Sequence, residues 1–152
     1  MTQEEKSLLL QDLCARLPYR VKCFVPIENL TMELTGKRLN YFCFHKEEWG
    51  FDYSHEFEVV LDPLNDARNG CVIKPYLRPI SSMTEEEKEE LKEISRNYLD
   101  EWENTKTSLE RWKLDAKVSY KRAVFYNSHH LDWNDLISKG LAIKVTKENN
   151  KL

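Results

Sequence analysis

Residues 71–102, CVIKPYLRPISSMTEEEKEELKEISRNYLDEW, change their hydrophobic period partway along and so decide the fold class. Before Pro79, residues 71–77 read as a strand, and Pro75, which has no N–H to give to a ladder, places that strand at a sheet edge. After Pro79 the pattern is helical. Thr84 is a natural N-cap, Glu87 closes a capping box, and Glu85, Glu86 and Glu87 suit the positive end of a helix dipole. Leu91, Ile94, Tyr98 and Trp102 then recur at spacings of 3, 4 and 4, one stripe expected to face the sheet.

Upstream, residues 19–77 carry strand patterns. Tyr19, Val21, Cys23 and Val25 alternate with Arg20 and Lys22, and Leu30, Met32 and Leu34 alternate with Thr31 and Glu33. Thr35-Gly36-Lys37 is expected to turn the chain into a partner strand over 39–44. Phe57, Val59 and Leu61 form a further alternating run, followed by the turn formers of 65–70. The first 17 residues read as a helix with a Thr2/Glu5 capping box, ended by Pro18. Its apolar face is Leu9, Leu10, Leu13, Ala15 and Leu17, with Glu4, Glu5, Lys6, Gln11 and Arg16 expected in water. Downstream, Thr107 with Glu110 can start a fresh helix. Residues 113–128 fit helix or strand, with helix preferred. Asp132 is expected to cap a short helix over 133–139, Gly140 to occupy a left-handed position past its end, and 141–145 to add a last strand. The expected fold is α+β: an antiparallel sheet of about four to five strands with an N-terminal helix and C-terminal helices packed on it. Residues 1–146 form one domain, followed by a frayed polar tail over 147–152.

The chain has 152 residues, 41% of them hydrophobic and 32% charged, so it is neither disordered nor low in complexity. No apolar run approaches the roughly 20 residues that a membrane-spanning helix requires, so no membrane role is expected. The net charge of −3 is no footprint of a general nucleic-acid binder. Cys14, Cys23, Cys43 and Cys71 form no CxxC pair and sit in apolar stretches, as buried reduced thiols of a cytoplasmic protein do. The acidic start lacks the features of a secretory signal.

Three blocks of the chain carry a resemblance. They are Met1-Thr2-Gln3-Glu4-Glu5-Lys6 with Asp12-Leu13-Cys14-Ala15-Arg16-Leu17-Pro18-Tyr19; Lys74-Pro75-Tyr76-Leu77-Arg78-Pro79 with Ser82-Met83-Thr84-Glu85-Glu86-Glu87; and residues 127–132 with Gly140-Leu141-Ala142. Over about a third of its length the chain thus resembles small proteins of phages, prophages and other mobile elements of gut anaerobic bacteria, a group without an assigned activity. The resemblance implies a mobile-element origin and a cytoplasmic life. It carries over no catalytic residue and no cofactor.

Several residues are candidates for chemistry or binding. Trp49, Phe51 and Tyr53, at period 2 between two strands, would anchor a protein partner if exposed, or extend a strand inward if not. Lys113, Lys117, Lys121 and Arg122, interleaved with Tyr120, Phe125 and Tyr126, are the nearest thing to a nucleic-acid patch. The acidic run 85–93 reads foremost as a solvated helix face, and Trp102 and Trp112 as core. His129, His130 and Asp132 could bind a metal or supply a base, although adjacent residues diverge and Asp132 already has a capping role. No HExxH, GxGxxG, GxxxxGK[ST] or GxSxG motif is present. The sequence therefore leads to the expectation of a non-catalytic, cofactor-free accessory protein acting by protein–protein interaction, with nucleic-acid association through 113–126 as the alternative.

Overall fold

In the computed structural model the described residues are 1–26, 28–38, 41–50, 52–56 and 73–149. They form an α+β fold built on a six-stranded sheet of order β4-β3-β2-β1-β5-β6. The strands are β1 (Lys22–Val25), β2 (Leu30–Arg38), β3 (Tyr41–His45), β4 (Asp52–Glu56), β5 (Lys74–Leu77) and β6 (Ile143–Lys144). Neighbours from β4 through β5 are antiparallel, and β6 joins β5 in parallel after two long helices intervene. Helix α1 (Gln3–Ala15) carries the expected Thr2/Glu5 capping box. Among the described residues no helix is long and apolar enough to cross a membrane.

Alternation decides the buried face. Val21, Cys23, Val25, Met32, Leu34, Phe42 and Phe44 point inward and meet Leu9 and Leu13 of α1. Leu136, Leu141 and Ala142, from the segment that leads into β6, belong to the same cluster. Cys23 is fully buried, and loss of water pushes its thiol far above the ordinary range; Cys14 and Cys43 are likewise free thiols.

Several expectations need correction. Residues 35–37 do not turn: β2 runs on to Arg38, and the register with β3 shifts between Leu34 and Gly36, a bulge where a glycine lowers the cost of the distorted ladder. Pro75 is not in an edge strand, since β5 lies between β1 and β6. Its missing N–H is tolerated because pairing with β6 begins one residue later, at Tyr76, so Pro75 faces a neighbour on one side only. Arg16 is not in water but fully buried with Asp12, while Ala15 is exposed. Residues 133–139 form turns rather than a helix; Asp132 still accepts from the amides of Leu136 (2.8 Å) and Ile137 (2.9 Å), and Gly140 takes the left-handed φ of 72°. Phe57, Val59, Leu61 and the turn at 65–70 lie outside the described residues.

The largest difference concerns helix α2 (Glu85–Glu103), which has the Thr84/Glu87 capping box but no fully buried residue. A short connection at 104–107 returns the chain as helix α3 (Ser108–Ser128), helical throughout, with Thr107 accepting from the Glu110 amide. The inner sheet face is already covered by α1 and the 136–142 segment, so the stripe of α2 packs along α3 instead. Leu91, Ile94 and Tyr98 are half-buried, and Trp102 is 41% exposed. Leu34→Ala, in the core, should therefore cost about 2–5 kcal/mol, and Leu91→Ala less than about 2 kcal/mol. Urea denaturation followed by circular dichroism measures both; equal losses would place the α2 stripe in the main core after all.

Candidate functional site

Helices α2 and α3 run antiparallel as an arm with its own seam. Tyr98 donates to Asp115 (2.7 Å), Arg122 donates to Ser95 (3.2 Å), Lys117 pairs with Glu101 (3.6 Å), and the Arg111 guanidinium lies 4.8 Å from the Trp102 ring centre. Leu114, Val118 and Phe125 are buried on the same face of α3. At 3.6 residues per turn the opposite face carries Leu109, Trp112, Ala116, Tyr120 and Ala123, spaced 3, 4, 4 and 3. Leu109 is 58% exposed, Trp112 69% and Tyr120 71%. Helix α3 is thus apolar on two opposite sides, and only one of them has a partner among the described residues.

A second apolar surface lies on α2, a groove of about 470 Å³ lined by Met83, Leu91 and Leu99 and the stems of Lys88, Lys92 and Arg96. On the outer sheet face a groove of about 540 Å³ is polar instead. Its charges largely pair with one another or with neighbours: Arg20 with Glu33 (3.0 Å), Lys46 with Glu48 (3.2 Å), His45 with Asp52 (3.0 Å).

The candidates read from the sequence are dispersed. Trp49 sits in a single 3-10 turn, half-buried against the main core, with the Lys46 ammonium 5.8 Å from its ring centre. Phe51 lies outside the described residues, and Tyr53 stands in β4 opposite Phe44. Lys113, Lys117, Lys121 and Arg122 are all exposed on α3, but Lys117 and Arg122 already reach α2. Trp112 and Trp102 are surface residues rather than core. The spacing from Leu109 to Ala123 was the legible signal for the outer stripe; the helix–strand ambiguity of 113–128 obscured it.

His129, His130 and Asp132 do not converge. His129 Nδ1 lies 3.2 Å from Glu87 and Nε2 lies 3.4 Å from Glu90. His130, at a left-handed φ of 55°, is pushed toward the neutral form by burial and by the Arg16 and Arg78 charges, and Asp132 holds the turn amides. Among the described residues no group of three or more His, Cys, Asp or Glu is placed to hold a metal ion.

What this region does is anchor the arm. Arg78 reaches Glu87 through two hydrogen bonds of 2.7 and 2.8 Å and also donates to the Ser82 carbonyl. The backbone of Arg78 bonds to both sides of Leu131, accepting from the Asp132 amide and donating to the His130 carbonyl, each at 2.8 Å. Arg16, fully buried, grips Asp12 at 2.7 and 3.0 Å and donates to the Leu131 carbonyl at 2.8 Å, while Asn134 donates to Asp12.

The Arg78 guanidinium, with the Thr84 amide, holds the Glu87 carboxyl at about 2, well below its ordinary 4.5. A carboxyl depressed in the folded state adds stability above its unfolded value and loses it as the pH falls toward the folded one. Urea midpoints should therefore drop as the pH is lowered from about 4.5 to about 2. Glu87 should contribute at most about 1.4 kcal/mol per unit, and Glu87→Gln should flatten that slope. An unchanged slope in the variant would show that Glu87 is not the group responsible. In comparisons with known proteins, no family model, no curated protein and no solved structure matches this chain.

Proposed function

We propose that this chain is a small accessory protein, of the mobile-element class its terminal motifs resemble, that acts by protein–protein interaction and not by catalysis of its own. The arm of α2 and α3 is the binding element. The observation that carries this is the outer stripe of α3: three large side chains, Leu109, Trp112 and Tyr120, exposed on one helix face with Ala116 between them. Contiguous exposed aromatic and aliphatic surface of this kind is what helix-in-groove and helix-pairing interfaces use, and Trp and Tyr are the residues that most often dominate their energetics. This moves the expected anchor from Trp49, which packs toward the core, to the arm.

The test is affinity capture from host lysate with three baits: the wild type, the Trp112→Ser/Tyr120→Ser double variant, and Lys117→Glu. Proteins recovered specifically with the wild type should fall about tenfold or more with the double variant and persist with Lys117→Glu. Recovery unaffected by the double variant would remove the arm as the binding element. Recovery lost only with Lys117→Glu would favour an electrostatic, nucleic-acid-type contact instead.

A further inference from the structure

We propose that the base of the arm is a proton-operated latch: His129, as the imidazolium, clamps the first turns of α2 to the end of α3, and loss of its proton releases that clamp. The latch goes beyond the binding role of the arm and stands whether or not the outer stripe of α3 has a partner.

Geometry and charge agree at this point. His129 Nδ1 lies 3.2 Å from a Glu87 oxygen, and Nε2 lies 3.4 Å from a Glu90 oxygen. A neutral imidazole has one N–H and one lone pair, so one of its nitrogens would turn a lone pair toward a carboxylate. Only the imidazolium presents a proton on both sides. The groups that face the ring are Glu87 and Glu90 from α2, Arg78 from the end of β5, and His130 beside it in the turn. Arg78 neutralises one of the two carboxylates through its paired bonds to Glu87. His130 adds no cation, because burial and the charges of Arg16 and Arg78 push it toward the neutral form. The second negative charge is therefore balanced when His129 carries a proton. Its position at the C-cap of α3, at the negative end of the helix dipole, favours the cation too. The ring is 30% exposed, so water can deliver and remove that proton. Residues 87, 90 and 129 also meet at the open end of the helical hairpin, away from the connection at 104–107, where no short stretch of chain holds α2 to α3. Histidine is the side chain whose charge ordinarily changes between about pH 5 and 8, so the latch operates near neutrality.

A double-mutant cycle on the full chain tests this, with His129→Gln, Glu90→Gln and the combined variant compared by urea denaturation at about pH 5.5 and about pH 8.5. Circular dichroism spectra control for folding. The cycle cancels the titrations of His45 and His130, which all four proteins share. The coupling between His129 and Glu90 should raise the folding equilibrium constant about two- to fivefold at the lower pH and fall to within about 1.5-fold of unity at the higher. His129→Lys, a cation at both pH values, should couple to Glu90 equally at both. No coupling at the lower pH overturns the latch, and so does an equal coupling at both, which would mean a contact that needs no imidazolium. A His129→Lys variant that couples to Glu90 no better at the higher pH than histidine does overturns it as well. None of these results bears on the capture experiment, which reads Trp112 and Tyr120.

Discussion

The buried guanidinium of Arg16 fixes how the two ends of the fold meet. It is fully enclosed, paired to Asp12 one turn earlier in the chain, and its Nη2, which also bonds Asp12, reaches the Leu131 carbonyl, 115 residues away. Leu131 is also the residue bracketed by the backbone of Arg78 at the exit of β5. One cation therefore ties α1, the end of the sheet and the end of α3 to a common point. Removing either partner of a buried ion pair leaves the other charge without compensation, which costs far more than the pair itself contributes. That asymmetry makes the contact a strong specifier of geometry even though it is weak evidence for net stability. The arm inherits its position from it, because α2 begins and α3 ends within a few residues of Arg78 and Leu131.

With its base so fixed, the arm is held together by charge as well as by its apolar seam. Helix α2 is rich in glutamate and α3 in lysine and arginine. Their contacts, Glu101 with Lys117 and Asp115 with Tyr98, straddle the buried Leu114 and Val118. Exposed pairs of this kind contribute little individually. Their consequence is more for function than for stability, since part of the basic set on α3 is turned toward α2 and less of it is presented outward to phosphate. Lys117 and Arg122 thus lie toward α2 while the apolar stripe lies on the opposite side of α3, and that apolar side is the one left without a neighbour among the described residues.

Local chemistry was legible in the sequence. Both capping boxes, Thr2/Glu5 and Thr84/Glu87, form as written, as does the Thr107 cap, because each is decided within four residues. The strand alternation of 21–25 and 30–34 was legible as well, because it too is a local pattern. What the sequence misplaced most often were residues whose setting depends on a distant partner. Arg16 reads as a solvated arginine until Leu131 is brought beside it. Pro75 reads as an edge residue until β6 is seen to start one position later. The stripe Leu91, Ile94, Tyr98 and Trp102 states that α2 has an apolar face, but periodicity carries no information about which surface receives it. With the inner sheet face already covered by α1 and the 136–142 segment, the neighbouring helix was the apolar surface left.

The same limit explains why the sequence points to a different surface. Trp49, Phe51 and Tyr53 drew attention because aromatic side chains near a turn are conspicuous, yet Trp49 can reach the core from its 3-10 turn. Trp112 looked like core because tryptophan on a helix usually is. A helix can bury only the sides that have neighbours, however, and α3 has its neighbour on the side of Leu114, Val118 and Phe125. A second apolar row on the opposite side cannot be satisfied by the same contact, however the arm is packed. Leaving Leu109, Trp112 and Tyr120 in water forgoes burial worth roughly 25 cal/mol for each Å² covered. Any surface that offers a matching row recovers that energy without rearranging the fold.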